Sequence, residues 1–336
     1  MQICVIGAGV AGLACATELV ARGVSVTVVD RACTLGADAC SWWAGGMLAP
    51  ECERESAEEP VARLGAEAPD WWERHAGGVT RNGTLVLAPG RDGSDLSRFS
   101  RRTQGFTHVN GERIAALEPD LAGRFHRGLL FAAEAHLNPR AALATLASRL
   151  SESGVDVRFA TDGADAPPAD VTLDCRGLAA RDDLPDLRGV KGEMLLIRSL
   201  DIRLSRPIRL LHPRIPMYIV PREDALLMVG ATSIESNERN RITARSMMEL
   251  LNGAYALHPA LGEAEIVEIG VDARPAFPDN LPRLHRRGRT IHVNGLYRHG
   301  FLLAPALARM AAEAVLDEHR EPALADTAPG ATGENV

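Results

Sequence analysis

Gly7, Gly9 and Gly12 stand in the spacing Gly-x-Gly-x-x-Gly, and Asp30 follows eighteen residues after the last of them. Each position suits one task in holding a dinucleotide. Gly7 permits a tight turn, Gly9 lets the backbone approach a pyrophosphate, and Gly12 lets a helix pack closely on a strand. The turn opens a helix, whose free N–H groups and positive dipole end attract phosphate oxygens. Asp30 can accept hydrogen bonds from both ribose hydroxyls, which favours an adenosine without a 2′-phosphate. A glycine-rich turn with no ligand is the plain alternative. Against it stand the apolar run Ile3 to Ile6 before the turn and a second apolar run, Ser25 to Val29, before Asp30.

Two distant segments bear on which dinucleotide is held. Cys40-Ser41-Trp42-Trp43-Ala44-Gly45-Gly46-Met47-Leu48-Ala49-Pro50 is a small-residue loop whose paired glycines can press backbone against a flat ring. Asn294-Gly295-Leu296-Tyr297-Arg298-His299-Gly300-Phe301-Leu302-Leu303-Ala304-Pro305 reads as strand, loop and helix start. The N-terminus of that helix could stabilise negative charge on the pyrimidine edge of a reduced flavin. A nicotinamide enzyme does not need such a returning segment, so the pair favours FAD over NAD.

The elements that must position these residues alternate along the chain. Strand Ile3–Ile6, a helix from about Leu13 to Ala21 and strand Ser25–Val29 form a βαβ unit, and the continuous apolar strand suits a parallel sheet. Pro139 to Leu150 carries Leu143, Leu146 and Leu150 at helical spacing. Val155–Phe159, Val171–Asp174 and Ile291–Asn294 read as further strands, and Leu302–Leu316 as an Ala-rich helix. Between them, residues 51–135 are expected to open with an acidic helix, Glu51–Glu59, and continue in short strands and turns. Residues 190–272 carry alternating apolar segments (Met194–Ile197, Met217–Val220, Leu226–Val229) that read as an antiparallel sheet. The expected fold is therefore an α/β Rossmann-like FAD-binding domain, a parallel sheet with helices on both faces, built from 1–50, 136–189 and 273–322. A smaller α+β substrate domain would come from 51–135 and 190–272. The tail 323–336 has few large apolar groups and is expected to be disordered.

Composition excludes several classes. Lys and Arg number 37 against 44 Asp and Glu, a net charge of −7, which argues against a nucleic-acid partner. Arg286, Arg287 and Arg289 form the densest basic cluster, and three charges on a turn read as solvated. No apolar run approaches a bilayer-spanning length. A strand beginning at Gln2 leaves no room for a targeting segment, so a cytoplasmic location is expected. The cysteines Cys4, Cys15, Cys33, Cys40, Cys52 and Cys175 form no CxxC pair and no metal-ligand spacing. Reduced thiols and no metal are expected, with Cys4 and Cys15 buried as small hydrophobes.

With Ala273-Arg274-Pro275-Ala276-Phe277-Pro278-Asp279-Asn280-Leu281-Pro282 added to these segments, the chain resembles the D-amino-acid-oxidase superfamily of flavoproteins. Within it the chain is most similar to the glycine oxidases of thiamine biosynthesis, from residue 1 to about 318. Asp174-Cys175-Arg176-Gly177-Leu178 and Gly189-Val190-Lys191-Gly192-Glu193-Met194 also resemble that family's crossover into the substrate domain.

The resemblance implies FAD contacts at Val10 and Ala11, and at Asp30 and Arg31 on the ribose. It implies Cys40, Ser41, Gly45, Gly46 and Met47 along the ribityl chain and ring, and an adenine contact near Gly163. The loop Leu296, Tyr297, Arg298, His299, Gly300, Phe301 and Leu302 would cradle the pyrimidine side. Arg274 matches the arginine that binds the substrate carboxylate, Tyr218 a tyrosine that helps it, and Arg298 a second arginine. No segment resembles a covalent flavin attachment, so non-covalent FAD is implied. Also implied are a small amino-acid substrate, O2 as acceptor, a homo-oligomer and a hand-off to a thiazole synthase.

One departure concerns the substrate. Where the family carries Gly, this chain has Asp272, which on an extended strand faces the same side as Arg274 and could pair with it. Arg274 suits a carboxylate because guanidinium and carboxylate meet through two parallel hydrogen bonds. Oxidation by hydride transfer to a flavin asks chiefly for positioning and needs no obligatory side-chain base. Arg274 as a structural ion pair, Tyr218 as a core aromatic, and His292 and His299 as structural or solvent-facing groups are the plain alternatives. At the level of function, a D-amino-acid, D-proline or sarcosine oxidase or dehydrogenase stays open, as does a non-catalytic FAD-binding subunit.

Overall fold

Strand Gln2–Ile6 is apolar along its length because both of its faces are covered: Ile3 and Val5 are buried on one side and Cys4 on the other. In the computed structural model, which describes residues 1–36, 38–89, 93–211 and 217–316, this strand lies within a six-stranded sheet. The order is Arg283–Arg287, Thr290–Asn294, Val171–Asp174, Gln2–Ile6, Ser25–Val29, Asp156–Arg158. All pairings are parallel except that of the first two strands. Helix Val10–Ala21 packs against Pro139–Glu152 and against the final helix, Gly300–Leu316. Both glycine-bearing helix starts are thereby brought to the carboxyl ends of the central strands, where open α/β sheets bind ligands.

The second sheet has nine strands, in the order Ile234–Glu235, Arg188–Arg198, Leu226–Gly230, Met217–Pro221, Ile208–Leu210, Thr84–Leu87, Arg127–Phe131, Thr107–Asn110, with Glu265–Ala276 also on Arg188–Arg198. It is antiparallel apart from one parallel pair, Ile208–Leu210 with Thr84–Leu87. Arg274 faces Val190, and Asp272 faces Gly192, across the long antiparallel pair that joins the two crossover segments.

The 51–135 stretch is more helical than expected. The acidic segment is no single helix: Pro50–Glu53 ends, and Glu59–Gly65 begins anew. Pro60 explains the break, because it lacks an N–H and its ring would clash with the carbonyl of Ser56 in a continuous helix. Ala68–His75, Gly93–Arg102 and Gly111–Leu117 are also helices. Val61, Ala68, Trp71 and Trp72 pack into the same core as the parallel sheet. Trp72 Nε1 donates to the Phe301 carbonyl at 2.7 Å, which pins the start of the final helix. The tail expected to be disordered lies outside the described residues.

Candidate active site

A cavity of about 420 Å³ runs between the two sheets. At one end lie Gly7, Gly9, Val10, Ala11, Asp30, Arg31 and Gly163. Gly7 has φ +106°, which an L side chain rarely adopts, and a Cβ there would meet the Cys175 carbonyl at 2.7 Å. Gly12 is not on the cavity wall; its role is below the turn, where a Cβ would lie 1.8 Å from the Gly7 oxygen. Asp30 accepts from Ala8 N at 2.6 Å and from Ala32 N at 2.8 Å, so each carboxylate oxygen is fixed from behind and keeps lone pairs for a ligand. Gly9 caps helix Val10–Ala21 without a side chain, leaving first-turn N–H groups facing the cavity. Val10 N donates to a side chain, Ser41 Oγ, at 3.3 Å.

Cys40, Ser41, Gly45, Gly46 and Met47 line the middle of the cavity. The paired glycines answer to protein neighbours here. A Cβ on Gly45 would stand 2.8 Å from the Tyr218 ring, and one on Gly46, at φ +68°, 2.3 Å from the Leu137 carbonyl. Burial, with the Asp272 charge adding, pushes the Cys40 thiol up to about 12, so it stays protonated.

Arg274, Tyr218, Arg298, His299 and Glu53 close the far end. The Arg274 guanidinium lies over Gly192, where a Cβ would meet Nη2 at 2.0 Å, and Nη1 donates to the Thr232 carbonyl at 3.1 Å. Burial pulls its pKa below the ordinary arginine value, with Tyr218 opposing and Arg298 adding to the shift. Among the described residues no carboxylate pairs with it. The Asp272–Arg274 pair that strand geometry allows does not form: Asp272 is bound instead by Arg239, Nε to Oδ1 at 2.5 Å and Nη2 to Oδ2 at 3.1 Å. Leu296, Tyr297, Gly300, Phe301 and Leu302 bring the start of the final helix to this end. His292 and His299 are both buried, which removes the solvent-facing alternative; His292 Nδ1 stands 3.1 Å from Asp174.

A cofactor site of this shape has counterparts among known proteins. Residues 2–314 match the DAO family, described as FAD dependent oxidoreductase. The chain belongs to that family. It is 57% identical to the Rhizobium etli oxidoreductase ThiO, named for thiamine biosynthesis, over 96% of this chain and 98% of that one. A glycine oxidase of Geobacillus kaustophilus is 28% identical over 98% of this chain and 95% of its own. The crystal structure of glycine oxidase from that organism superposes with a TM-score of 0.80 at 23% identity, covering 100% of this chain and 99% of the other, which speaks to the fold. The bifunctional ThiO/ThiG protein of Trichormus variabilis is 28% identical over 96% of this chain, which spans 54% of that protein.

This oxidoreductase binds FAD, and the residues present fit it: the glycine turn, two helix starts and Asp30 open on one continuous cavity. Several lining residues were not marked as site residues by the sequence. Glu53, Glu193 and Arg239 reach the cavity from helix, strand and loop segments far from the glycine motifs. Glu53 Oε2 is buried without a hydrogen-bond partner, and Glu193 is paired with Lys191 at 2.8 Å. Among the described residues no helix is long and apolar enough to cross a membrane.

Proposed function

We propose that this FAD-dependent oxidoreductase oxidises glycine, or a similarly small amino acid, to its imine, with O2 reduced to hydrogen peroxide. The observation that carries the reading is Arg274, a half-buried arginine on the cavity wall with no carboxylate paired to it among the described residues. A buried charge is costly unless paired, and a guanidinium is matched best by a carboxylate in bidentate contact. The family's FAD, when bound, would supply the acceptor for the hydride that leaves Cα, while the nitrogen gives up a proton and the Cα–N bond becomes double. Arg274 fixes the substrate carboxylate, and the Tyr218 ring beside Gly45 narrows the space around Cα. Arg298, exposed beside Arg274's end of the cavity, adds positive charge that favours the substrate carboxylate. His299 stays neutral, because burial holds it down at about 4.

Under this reading residues 1–50, 136–189 and 273–322, of which 317–322 lie outside the described residues, hold the cofactor non-covalently. Residues 51–135 with 190–272 form the substrate side, save the helices Glu59–Gly65 and Ala68–His75, which share the core of the parallel sheet. Gly7, Gly9, Val10, Ala11, Asp30, Arg31 and Gly163 serve the adenosine and pyrophosphate. Cys40 to Met47 and Leu296 to Leu302 serve the flavin. Support for glycine comes from the names of the relatives, and support for release of the imine to a thiazole-forming partner comes from those in which ThiO is fused to ThiG. A homo-oligomer in the cytoplasm completes the proposal.

The test is direct. Purified protein should be yellow, release its flavin on acid precipitation, and consume oxygen with peroxide release on glycine. A panel of sarcosine, D-proline and D-alanine ranks the alternatives. Yellow protein inert on every one of these amines would contradict the reading.

A further inference from the structure

Asp-x-Arg spacing recurs along the chain, and it pairs internally at Asp156–Arg158, on its strand, and at Asp174–Arg176, just past the end of its strand. Asp156 and Arg158 meet at 2.5 Å, and Asp174 and Arg176 at 2.6 Å. On a strand, residues at this spacing face the same side about 7 Å apart, within reach of an arginine. Asp272 and Arg274 share the spacing but are not paired. Arg239, from the segment between Ile234–Glu235 and the helix Ala244–Leu257, takes both Asp272 oxygens, and its Nη2 also donates to the Asp38 carbonyl at 2.8 Å. The Ala273 N–H adds a third bond to Asp272 Oδ1 at 2.7 Å. The Arg239–Asp272 pair stands where the cavity meets an outer groove lined by Asn240, Ile242, Ile269 and Val271.

We propose that Arg239 is a positioning residue that determines substrate affinity: it holds the Asp272 carboxylate away from Arg274 and so keeps Arg274 open to the carboxylate of a small amino acid. This rests on the reading of Arg274 as the carboxylate anchor. Without Arg239, the Asp272 carboxylate would be buried and unpaired, with Arg274 the neighbouring cation able to satisfy it. It would then compete with substrate from inside the protein, at a fixed position and at no cost in translational freedom. The effect falls on binding rather than on the chemical step, because Arg239 touches neither substrate nor reacting atoms.

The experiment measures KM and kcat for glycine, and the Kd of acetate read from perturbation of the flavin absorbance, in the holoenzyme. Arg239→Ala should raise KM and the acetate Kd together, by roughly tenfold to a hundredfold, as expected when a charged competitor occupies the partner. Its kcat at saturation should stay within about twofold of wild type. Asp272→Asn added to Arg239→Ala should return both constants to within about threefold of wild type, since the competing charge is gone. Arg239→Lys, which keeps the charge but loses the bidentate geometry, should lie between, and it serves in place of the alanine variant should that one not fold. Unchanged constants in the Arg239 variants, or a raised KM that Asp272→Asn does not relieve, overturn the proposal. Arg274→Ala is the control: if it leaves acetate binding intact, the anchor reading itself fails and this proposal with it, whereas a lost acetate response beside an unaffected Arg239 variant overturns this proposal alone.

Discussion

Glu53 Oε2 lies 3.5 Å from His299 Nδ1 while its Oε1 accepts from Arg209 Nη1 at 3.1 Å, so one buried carboxylate joins the helix after the small-residue loop to the turn before the final helix. Burial alone would push Glu53 up; Arg209, followed by His299 and Arg298, outweighs it and holds Glu53 at about 2. The cavity floor therefore carries a fixed negative charge against a neutral imidazole.

Removing that charge should be costly. Glu53→Gln leaves Arg209 buried without its carboxylate partner, and breaking a buried pair from one side costs about 3–5 kcal/mol. Urea unfolding of the holoenzyme measures it. A change below about 1 kcal/mol would mean that Arg209 is satisfied without Glu53.

Glu134 makes the opposite case. Burial raises its carboxyl to about 7, even though Thr84 and the Cys52 N–H, at 2.7 Å, favour the ionised form. A folded pKa above the unfolded one means that the native state binds the extra proton between the two values. Its contribution to stability is therefore present below about 4.5 and lost as pH rises through about 7. Relative to Glu134→Gln, wild type should lose on the order of 3 kcal/mol across that window, at about 1.4 kcal/mol per unit. His136, which burial lowers to about 4, works in the other direction, losing stability as pH falls; comparison with the variant isolates Glu134. A difference that does not vary with pH would rule out the raised carboxyl.

Asp30→Ala should weaken FAD by on the order of 2–4 kcal/mol, for two charge-assisted hydrogen bonds to the ribose at roughly 1.5 each. The structure adds a second cost, since the variant also releases Ala8 N and Ala32 N. Flavin retention after gel filtration reads the sum. Full occupancy after dilution would place the ribose elsewhere.

How much of this was legible in the residues divides along one line. The glycine turn, Asp30, the loop at Cys40–Met47 and the turn at Leu296–Leu302 are each contained in a short stretch, and all of them line one cavity. Glu53, Glu193 and Arg239 depend on which strands and loops meet across the cavity, which no local pattern encodes. Arg239 shows this most clearly: strand geometry put Asp272 beside Arg274, but a residue thirty-three positions earlier decides its partner. The helices of the 51–135 stretch went unread because they are short and interrupted. Their start signals were present all the same: Pro69 in the first turn of Ala68–His75, and Asn110, whose side chain accepts from Arg113 N at 2.9 Å.

The central claim is that Arg274 holds a substrate carboxylate over the flavin site, and steady-state kinetics of Arg274→Ala test it most directly. Truncating one side of a buried, hydrogen-bonded charge pair costs about 2–5 kcal/mol. That predicts a loss of roughly thirtyfold to several thousandfold in kcat/KM for glycine, with only partial recovery in Arg274→Lys. Flavin absorbance and thermal stability should barely change. Normal kcat/KM in Arg274→Ala on every amino acid that the wild type accepts would contradict the account and point to an amine substrate without a carboxylate.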